Sequence, residues 1–196
     1  MPFQTSTTKP TDGNAEIVTG FNSITITTFA ERNRFVVFFI SFWLIGWFVG
    51  EVFALSILLS EDNQFMPKTF LTIWVVFWTI GGFLAIKLIA KQLFGKETIE
   101  INRGMITIAN TILGIGKKRF YDIYKINKIG HSPYMQLSAY KPKFGFAKIG
   151  RKTGALKFCF DNKMVDFASN ITKAEADYIL DEMKKIPGFH PQDFDE

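Results

Sequence analysis

The sequence predicts an α+β membrane protein, in which a transmembrane helical hairpin is followed by a β-rich unit and a C-terminal α-helix. Three observations lead to this fold class. Two apolar runs, 35–60 and 69–90, hold one charged residue each and are long enough to cross a bilayer, which takes about 20 residues. Short segments that alternate apolar and polar residues come next. A segment with helical spacing then closes the chain.

The residues before the hairpin predict a tail and one strand. Residues 1–16 are rich in Thr, Ser, Pro, Gly and Asn, so we expect a flexible tail. In the pre-membrane segment 17–34, Ile24 and Ile26 alternate with polar residues, which indicates a strand. A lone strand is not stable in water. We therefore expect this strand to join a sheet formed beyond the hairpin, on the same side of the membrane.

The charges that flank the hairpin, residues 35–90, predict its orientation. Basic residues stand at its two outer ends: Arg32, Arg34, Lys91 and Lys96. The connecting link holds Glu61 and Asp62 against one lysine, Lys68. Because positively charged flanks stay in the cytoplasm, we expect both termini in the cytoplasm and the link outside. The single cysteine, Cys159, agrees with a reducing compartment.

Glu51 is the one charged residue inside the first apolar run, far from either end. A carboxylate at that depth is costly, so it should face protein or become protonated. In an antiparallel hairpin it lies at the depth of Trp74, whose indole N–H is the expected donor. Three roles remain open: a hydrogen-bonded structural group, a contact with a partner membrane protein, and proton or ion handling. Glycines that permit close helix approach accompany it: Gly46, Gly50, Gly81 and Gly82.

Residues 91–188 predict a domain of short antiparallel strands. Alternation is clearest at 97–102 and 105–112, which flank a turn at Arg103-Gly104. The later strand segments are 117–123, 125–130, 155–161 and 164–168. A two-residue turn at Asn162-Lys163 is expected to join the last two strands.

A helix follows the last strand. Thr172 and Glu175 fit a capping box, in which each side chain satisfies a free backbone N–H of the other residue. Pro187-Gly188 ends the helix. One apolar stripe runs along it: Ala176, Ile179, Leu180 and Met183. We expect the acidic residues 189–196 to form a mobile tail.

Six or seven strands closed by one amphipathic helix are the order of a pleckstrin-homology-like (PH-like) split β-barrel. A two-helix hairpin followed by GKETIEINRGMITI, a basic strand, ALKFCFDNKMVDFA and a capped helix resembles bacterial membrane proteins with PH-like domains. The resemblance covers residues 20–186, and the photosystem I assembly factor of chloroplasts and cyanobacteria has a similar layout. It implies a multi-pass protein of the bacterial inner (cytoplasmic) membrane with a cytoplasmic PH-like domain.

Charge is segregated within this domain. Residues 117–157 hold eleven basic residues against one acidic residue, whereas residues 161–196 hold four against nine. Anionic lipid headgroups attract a basic surface by about 1 kcal/mol per residue. An acidic protein partner and a solvated surface that only enforces topology are the alternatives, while nucleic acid is disfavoured because no helix-turn-helix or RNA-binding signature occurs. The candidate lipid-binding residues are Lys117, Lys118, Arg119, Lys141, Lys143, Lys148, Arg151 and Lys152.

Catalytic patterns do not occur in the sequence. HExxH, CxxC, GxSxG and phosphate-loop spacings are absent, and His131 and His190 lack the companions of a metal site. We therefore expect no enzymatic activity, no metal and no cofactor. The predicted function is a non-enzymatic membrane scaffold or accessory (assembly) subunit. Its hairpin would dock on another integral membrane protein or on a second copy, and its basic face would meet lipid headgroups or an acidic partner. The alternative is a lipid-sensing PH-like regulatory module.

Overall fold

The computed structural model of the chain describes residues 13–30, 32–60, 67–133 and 154–195. The chain forms two compact units. Arg32–Leu93 make a helical unit, and the residues before and after them together make a sheet unit. The interruption of the sheet unit by the helices was expected from the alternation of residues 23–29.

The helical unit contains two long apolar helices. Helix α1 spans Arg34–Leu59 and helix α2 spans Lys68–Phe94. Each has a mean hydropathy of 2.0, and each is long and apolar enough to cross a membrane. Most of their bulky side chains point outwards, whereas Ala54, Leu71 and Val75 pack together between the helices. The helices therefore leave most of their apolar surface uncovered by the described part of this chain.

The described residues of the sheet unit form eight strands in two antiparallel sheets. The first sheet has the order β1-β2-β3-β4-β5, with strands Ala15–Gly20, Ser23–Phe29, Gly95–Asn102, Met105–Ile112 and Ile115–Asp122. The second has the order β6-β7-β8, with strands Ile126–His131, Leu156–Phe160 and Lys163–Phe167. Helix α3 spans Lys173–Lys184. These elements confirm a mixed α+β chain with two long apolar helices and antiparallel sheets.

Strand β2 pairs with β3, as its alternation predicted. Ile24 lies opposite Ile101 and Ile26 lies opposite Ile99, and all four side chains are buried. The chain therefore leaves the sheet after Phe29, forms both long helices, and re-enters the same sheet at Gly95.

Strand β1 lies partly inside the segment that was expected to be a tail. It begins at Ala15 and pairs with β2 along its whole length, while residues 1–12 lie outside the described residues. This strand is hard to recognise in the sequence because Ile17 is its one large core residue, and the alternating apolar residue, Ala15, is small and of a type depleted in strands. Ala15 N–H also donates to Glu175 Oε1 at 2.6 Å, which ties β1 to helix α3.

Helix α3 begins with the predicted capping box. Thr172 Oγ1 accepts from Glu175 N–H at 3.2 Å, and Glu175 Oε2 accepts from Thr172 N–H at 2.7 Å. The predicted apolar stripe packs against the isoleucines of the first sheet and against Phe158 and Phe167 of the second. Its packing closes the main core of the unit.

Of the two predicted hairpin turns, one lies where it was expected and the other is shifted by one residue. Arg103-Gly104 is the expected turn, with φ of 49° and 79°. The β7–β8 turn is Asp161-Asn162, with φ of 48° and 61°, one residue earlier than predicted. A two-residue type I′ turn needs positive φ at both positions, which Asp and Asn tolerate better than Lys.

The acidic C-terminal segment is docked, which corrects the expected mobile tail over residues 189–195. Phe189 is buried, and its ring lies 5.9 Å from that of Phe194. Phe194 forms a parallel bridge with Ile129, and Asp195 N–H donates to Ile129 O at 2.8 Å. The two aromatic side chains explain the docking, because they gain more from burial than the flanking acidic residues lose.

Candidate functional site

Strand β5 presents the basic surface that the sequence predicted. Lys117, Lys118 and Arg119, here called the basic strand, are all exposed on this edge strand. None of the three forms a salt bridge to another residue in the described part of the chain. The three charges are therefore free to meet an external anion.

The other predicted lipid-binding residues cannot be placed. Lys141, Lys143, Lys148, Arg151 and Lys152 lie within residues 134–153, outside the described residues. The structure thus brings together the β5 members of the candidate set and leaves the remainder as a prediction.

Some acidic side chains of the sheet unit are paired with nearby bases. Lys157 Nζ lies 2.7 Å from Asp195 Oδ2, and Lys185 Nζ lies 2.6 Å from Glu182 Oε1. The hydrogen bond that Lys185 donates to Glu182 raises the pKa of Lys185, and burial raises the pKa of Tyr178 in helix α3. Neither pair includes a residue of the basic strand, so neither neutralises it.

Two tryptophans join the long helices by reciprocal hydrogen bonds. Trp47 Nε1–H donates to Trp78 O at 3.0 Å, and Trp78 Nε1–H reaches Trp47 O at 3.5 Å. These hydrogen bonds bring Trp47 and Trp78 together between the two helices. Trp74 stacks on Trp78, with ring centroids 4.6 Å apart, and Trp43 packs at 6.2 Å. The four indoles thus form one cluster in the helical unit.

Glu51 faces the second helix, but its donor is not Trp74. Thr79 Oγ1–H donates to Glu51 Oε1 at 2.5 Å, and the carboxyl group is only 9% exposed. The prediction failed because helical side chains lean towards their own N-terminus. The Glu51 carboxyl group therefore reaches back to the level of Trp47, which faces Trp78 and Thr79, and Trp74 is left to stack.

One oxygen of the Glu51 carboxyl group lacks a hydrogen-bond donor within the described residues. Glu51 Oε2 is buried and has no partner within the described residues. Thr79 Oγ1 also lies 2.8 Å from Val75 O. A hydroxyl group carries one proton, so Thr79 shares it between Glu51 Oε1 and Val75 O. One carboxyl oxygen is left for a partner that the described chain does not provide.

The four glycines divide into an inner and an outer pair. A Cβ on Gly82 would overlap Trp47 Cζ2, and one on Gly50 would touch Trp78 at 3.9 Å. Gly82 therefore serves packing inside the hairpin, whereas Gly50 faces Trp78 at an ordinary contact distance. A Cβ on Gly46 or Gly81 would meet nothing within 4 Å. Gly46 and Gly81 are thus the two glycines that remain open to the approach of another helix.

Thr79 is the hydrogen-bond partner of Glu51 that sequence reasoning missed. It is a hydroxyl residue in the middle of an apolar run, which is the signal that marks it. Helical hydroxyl groups usually bond to their own backbone, as Thr72 does to Lys68 O at 2.8 Å, so the residue type alone does not select Thr79.

No group of three or more His, Cys, Asp or Glu side chains arranged to hold a metal occurs in the described parts of the chain. Comparison with protein-family models gives no match, and comparison with curated proteins gives none either. The function is therefore argued from the residues and their geometry alone.

Proposed function

We propose that this chain is a two-helix protein of the bacterial inner membrane with both termini in the cytoplasm. In this proposal it is a non-enzymatic scaffold or accessory subunit. Its hairpin docks on another membrane protein or on a second copy, and its basic strand faces anionic headgroups. The sheet unit is proposed to be a PH-like split barrel. The two antiparallel sheets with one capping helix, α3, support that assignment.

The pairing of β2 with β3 is the observation that carries the proposal. These strands flank the two long helices, and they are neighbours in one sheet. A chain whose two flanking strands belong to one sheet must cross a bilayer an even number of times. Two helices of membrane length meet that condition, and the basic flanks support a cytoplasmic location for the sheet.

Docking through the hairpin is supported by the groups on the helices that have no contact within the described chain. Their bulky apolar side chains point outwards, Gly46 and Gly81 are open, and Glu51 Oε2 lacks a partner in the described chain. Small residues that allow close backbone approach are typical of helix interfaces in membranes. Lipid alone could cover the exposed apolar surface. The open glycines and the unpaired carboxyl oxygen are therefore the features that favour a protein partner over lipid.

The docking proposal is tested by enlarging the open glycines. We expect Gly46→Leu and Gly81→Leu to leave the hairpin folded, because a side chain at either position meets open space. We expect them to reduce the yield of the partner chain in cross-linked complexes isolated in mild detergent. Val49→Leu is the matched control, since Val49 is 63% exposed on α1 and gains only one methylene group. An unchanged complex in both glycine variants would contradict docking at these positions.

The second candidate is a lipid-sensing module, favoured by the unpaired basic strand. A sensor changes state on binding a headgroup, whereas a scaffold does not. Hydrogen exchange of the full chain in nanodiscs separates the two. Protection that changes beyond β5 when anionic lipid is added indicates sensing, whereas protection confined to β5 indicates a fixed membrane contact.

A further inference from the structure

The turn between β4 and β5 carries an exposed apolar tip. Leu113 is 67% exposed and Ile115 is 83% exposed. Ile112 is half-buried and is the direct cross-strand partner of Ile115. Three large apolar side chains therefore lie together where a soluble hairpin normally places polar residues.

Leu113 is also unfavourable for the turn that it forms. Leu113 and Gly114 have φ of 52° and 82°, which is the type I′ pattern that favours Asn-Gly. A left-handed conformation is costly for a residue with a large side chain. The other non-glycine residues with positive φ in the described chain are Asn22, Arg103, Lys128, Asp161, Asn162, Ala168 and Asn170. Leu113 is the one large apolar residue in that set, so turn formation does not account for it.

The register places this tip at a particular end of the sheet. Gly95 pairs with Ile112, and Phe29 pairs with Lys96. The tip therefore lies at the end from which the chain leaves for α1 and returns from α2, called here the helix-linked end. The β1–β2 turn, with Phe21, lies at the opposite end, about 23 Å away for seven residue steps along β3.

Charge and apolar surface are layered along β5. The basic strand begins two residues after Ile115, and the exposed Lys96 lies at the same end of the sheet. A membrane interface offers acyl chains with a layer of phosphates above them. Anionic phosphates match the basic strand, and the acyl boundary matches the apolar tip.

We propose that the β4–β5 tip is an interfacial anchor. Leu113 and Ile115 insert into the leaflet that the chain's own helices cross, and Lys117, Lys118 and Arg119 bind the phosphates of anionic lipids. The inference rests on the proposed function, because it requires the hairpin to span that bilayer. The occupant of the apolar tip is lipid, and a protein partner or a second copy is a distinct outcome of the test.

The test uses the full chain with Cys159→Ser and one introduced cysteine that carries an environment-sensitive fluorophore. Three positions are compared: Ile115 at the tip, Phe21 at the opposite end, and Phe48 on α1. Phe21 is the matched control because it is apolar and 97% exposed. The chains are placed one per nanodisc in phosphatidylcholine with phosphatidylglycerol, and spin-labelled lipid is the quencher. We expect quenching at Ile115 to exceed that at Phe21 about twofold or more, since an inserted side chain lies within 5–10 Å of the acyl boundary.

The three positions separate the failure of each proposal. No lipid quenching at Phe48 would overturn the membrane location itself. Quenching at Phe48 with equal, weak quenching at Ile115 and Phe21 would overturn the anchor alone. An Ile115 label that is shielded from both lipid and a water-soluble quencher would show that protein covers the tip, which also contradicts the anchor.

A substitution that favours the fold keeps the test independent of stability. Leu113→Asn suits the type I′ turn, so we expect an unfolding temperature equal to or above that of the parent chain. Because it removes an inserted side chain, it should lower lipid quenching of the Ile115 label. Phe21→Asn removes a similar apolar side chain at the far end and should leave that quenching unchanged. Unchanged quenching in Leu113→Asn would contradict the proposal.

Discussion

At the scale of single residues, the contact between Glu51 and Thr79 shows how a carboxyl group is accommodated among apolar side chains. One oxygen accepts from Thr79, and the other has no partner within the described residues. The sequence indicated that Glu51 needs a donor on the second helix. It did not identify the donor, because the depth of two Cα atoms does not specify where a long side chain ends.

Removing the Thr79 hydroxyl should weaken helix association slightly. Interhelical hydrogen bonds in membranes contribute about 0.6 kcal/mol on average, so we expect Thr79→Val to lower the unfolding free energy of the hairpin by about that amount. The measurement is reversible unfolding in mixed micelles. Thr72→Val is the matched control, because the Thr72 hydroxyl bonds only to its own helix. Equal effects of the two substitutions would contradict an interhelical role.

Glu51 itself should matter for structure and not for ionisation. Glu51→Gln keeps an acceptor and adds an amide donor for Thr79 Oγ1, so we expect near-normal assembly of the hairpin. Glu51→Leu removes every polar atom and should reduce co-purification of a partner chain more than Gln does. If Gln were as damaging as Leu in a folded, inserted chain, ionisation of Glu51 would be its function.

Glu175 should be among the most sensitive polar residues of the sheet unit. Its carboxylate is 1% exposed and accepts from Ala15 N–H, Thr172 N–H and Thr172 Oγ1–H. Glu175→Ala leaves these donors unpaired, and we expect a loss of about 2–3 kcal/mol in unfolding free energy. Asp181→Ala, on the same helix in an exposed pair, should cost less than about 0.5 kcal/mol. Similar losses for both would contradict the anchoring role of Glu175.

At the scale of elements, strands and helices with two or more large apolar residues at regular spacing could be predicted from the sequence. Elements with only one such residue could not. Strand β2 was recognised from Ile24 and Ile26, and helix α3 was recognised from its stripe and capping box. Strand β1 has one large core residue, Ile17, and its other inward-facing apolar residue, Ala15, is small. Its alternation is therefore too weak to predict a strand from the sequence. The C-terminal segment was wrongly predicted to be mobile, because the prediction rested on its acidic residues. Phe189 and Phe194 attach it to the rest of the unit.

Truncations of the N-terminus should separate β1 from the residues before it. Deleting residues 1–12 removes only residues outside the described part of the chain, and we expect unchanged thermal unfolding of the sheet unit. Deleting residues 1–22 removes β1, exposes β2 as an edge, and loses the burial of Ile17. Burial of one isoleucine contributes about 1.5–3 kcal/mol, so the longer truncation should lower stability by at least that amount. Equal unfolding temperatures would contradict the role of β1.

At the scale of the whole molecule, composition and alternation together predicted the α+β architecture and the insertion of two helices into one sheet. The basic strand was predicted as part of a wider charged region, of which β5 is the described portion. Pairwise contacts such as Thr79 with Glu51 were not predictable, because they depend on helix register and side-chain direction. The apolar tip at Leu113 was not singled out either, because its significance appears only when register places it at the helix-linked end.

The central claim is that one polypeptide sheet, interrupted by a membrane hairpin, lies entirely on the cytoplasmic side. Cysteine accessibility in intact cells tests it most directly, using Cys159→Ser chains with single cysteines at Asn63 in the link, Phe21 before the hairpin and Lys173 after it. We expect a membrane-impermeant maleimide to label Asn63→Cys in intact cells, and Phe21→Cys and Lys173→Cys only after lysis. Labelling of Phe21→Cys and Lys173→Cys from outside would invert the orientation. Labelling of only one of these two from outside would contradict the hairpin itself.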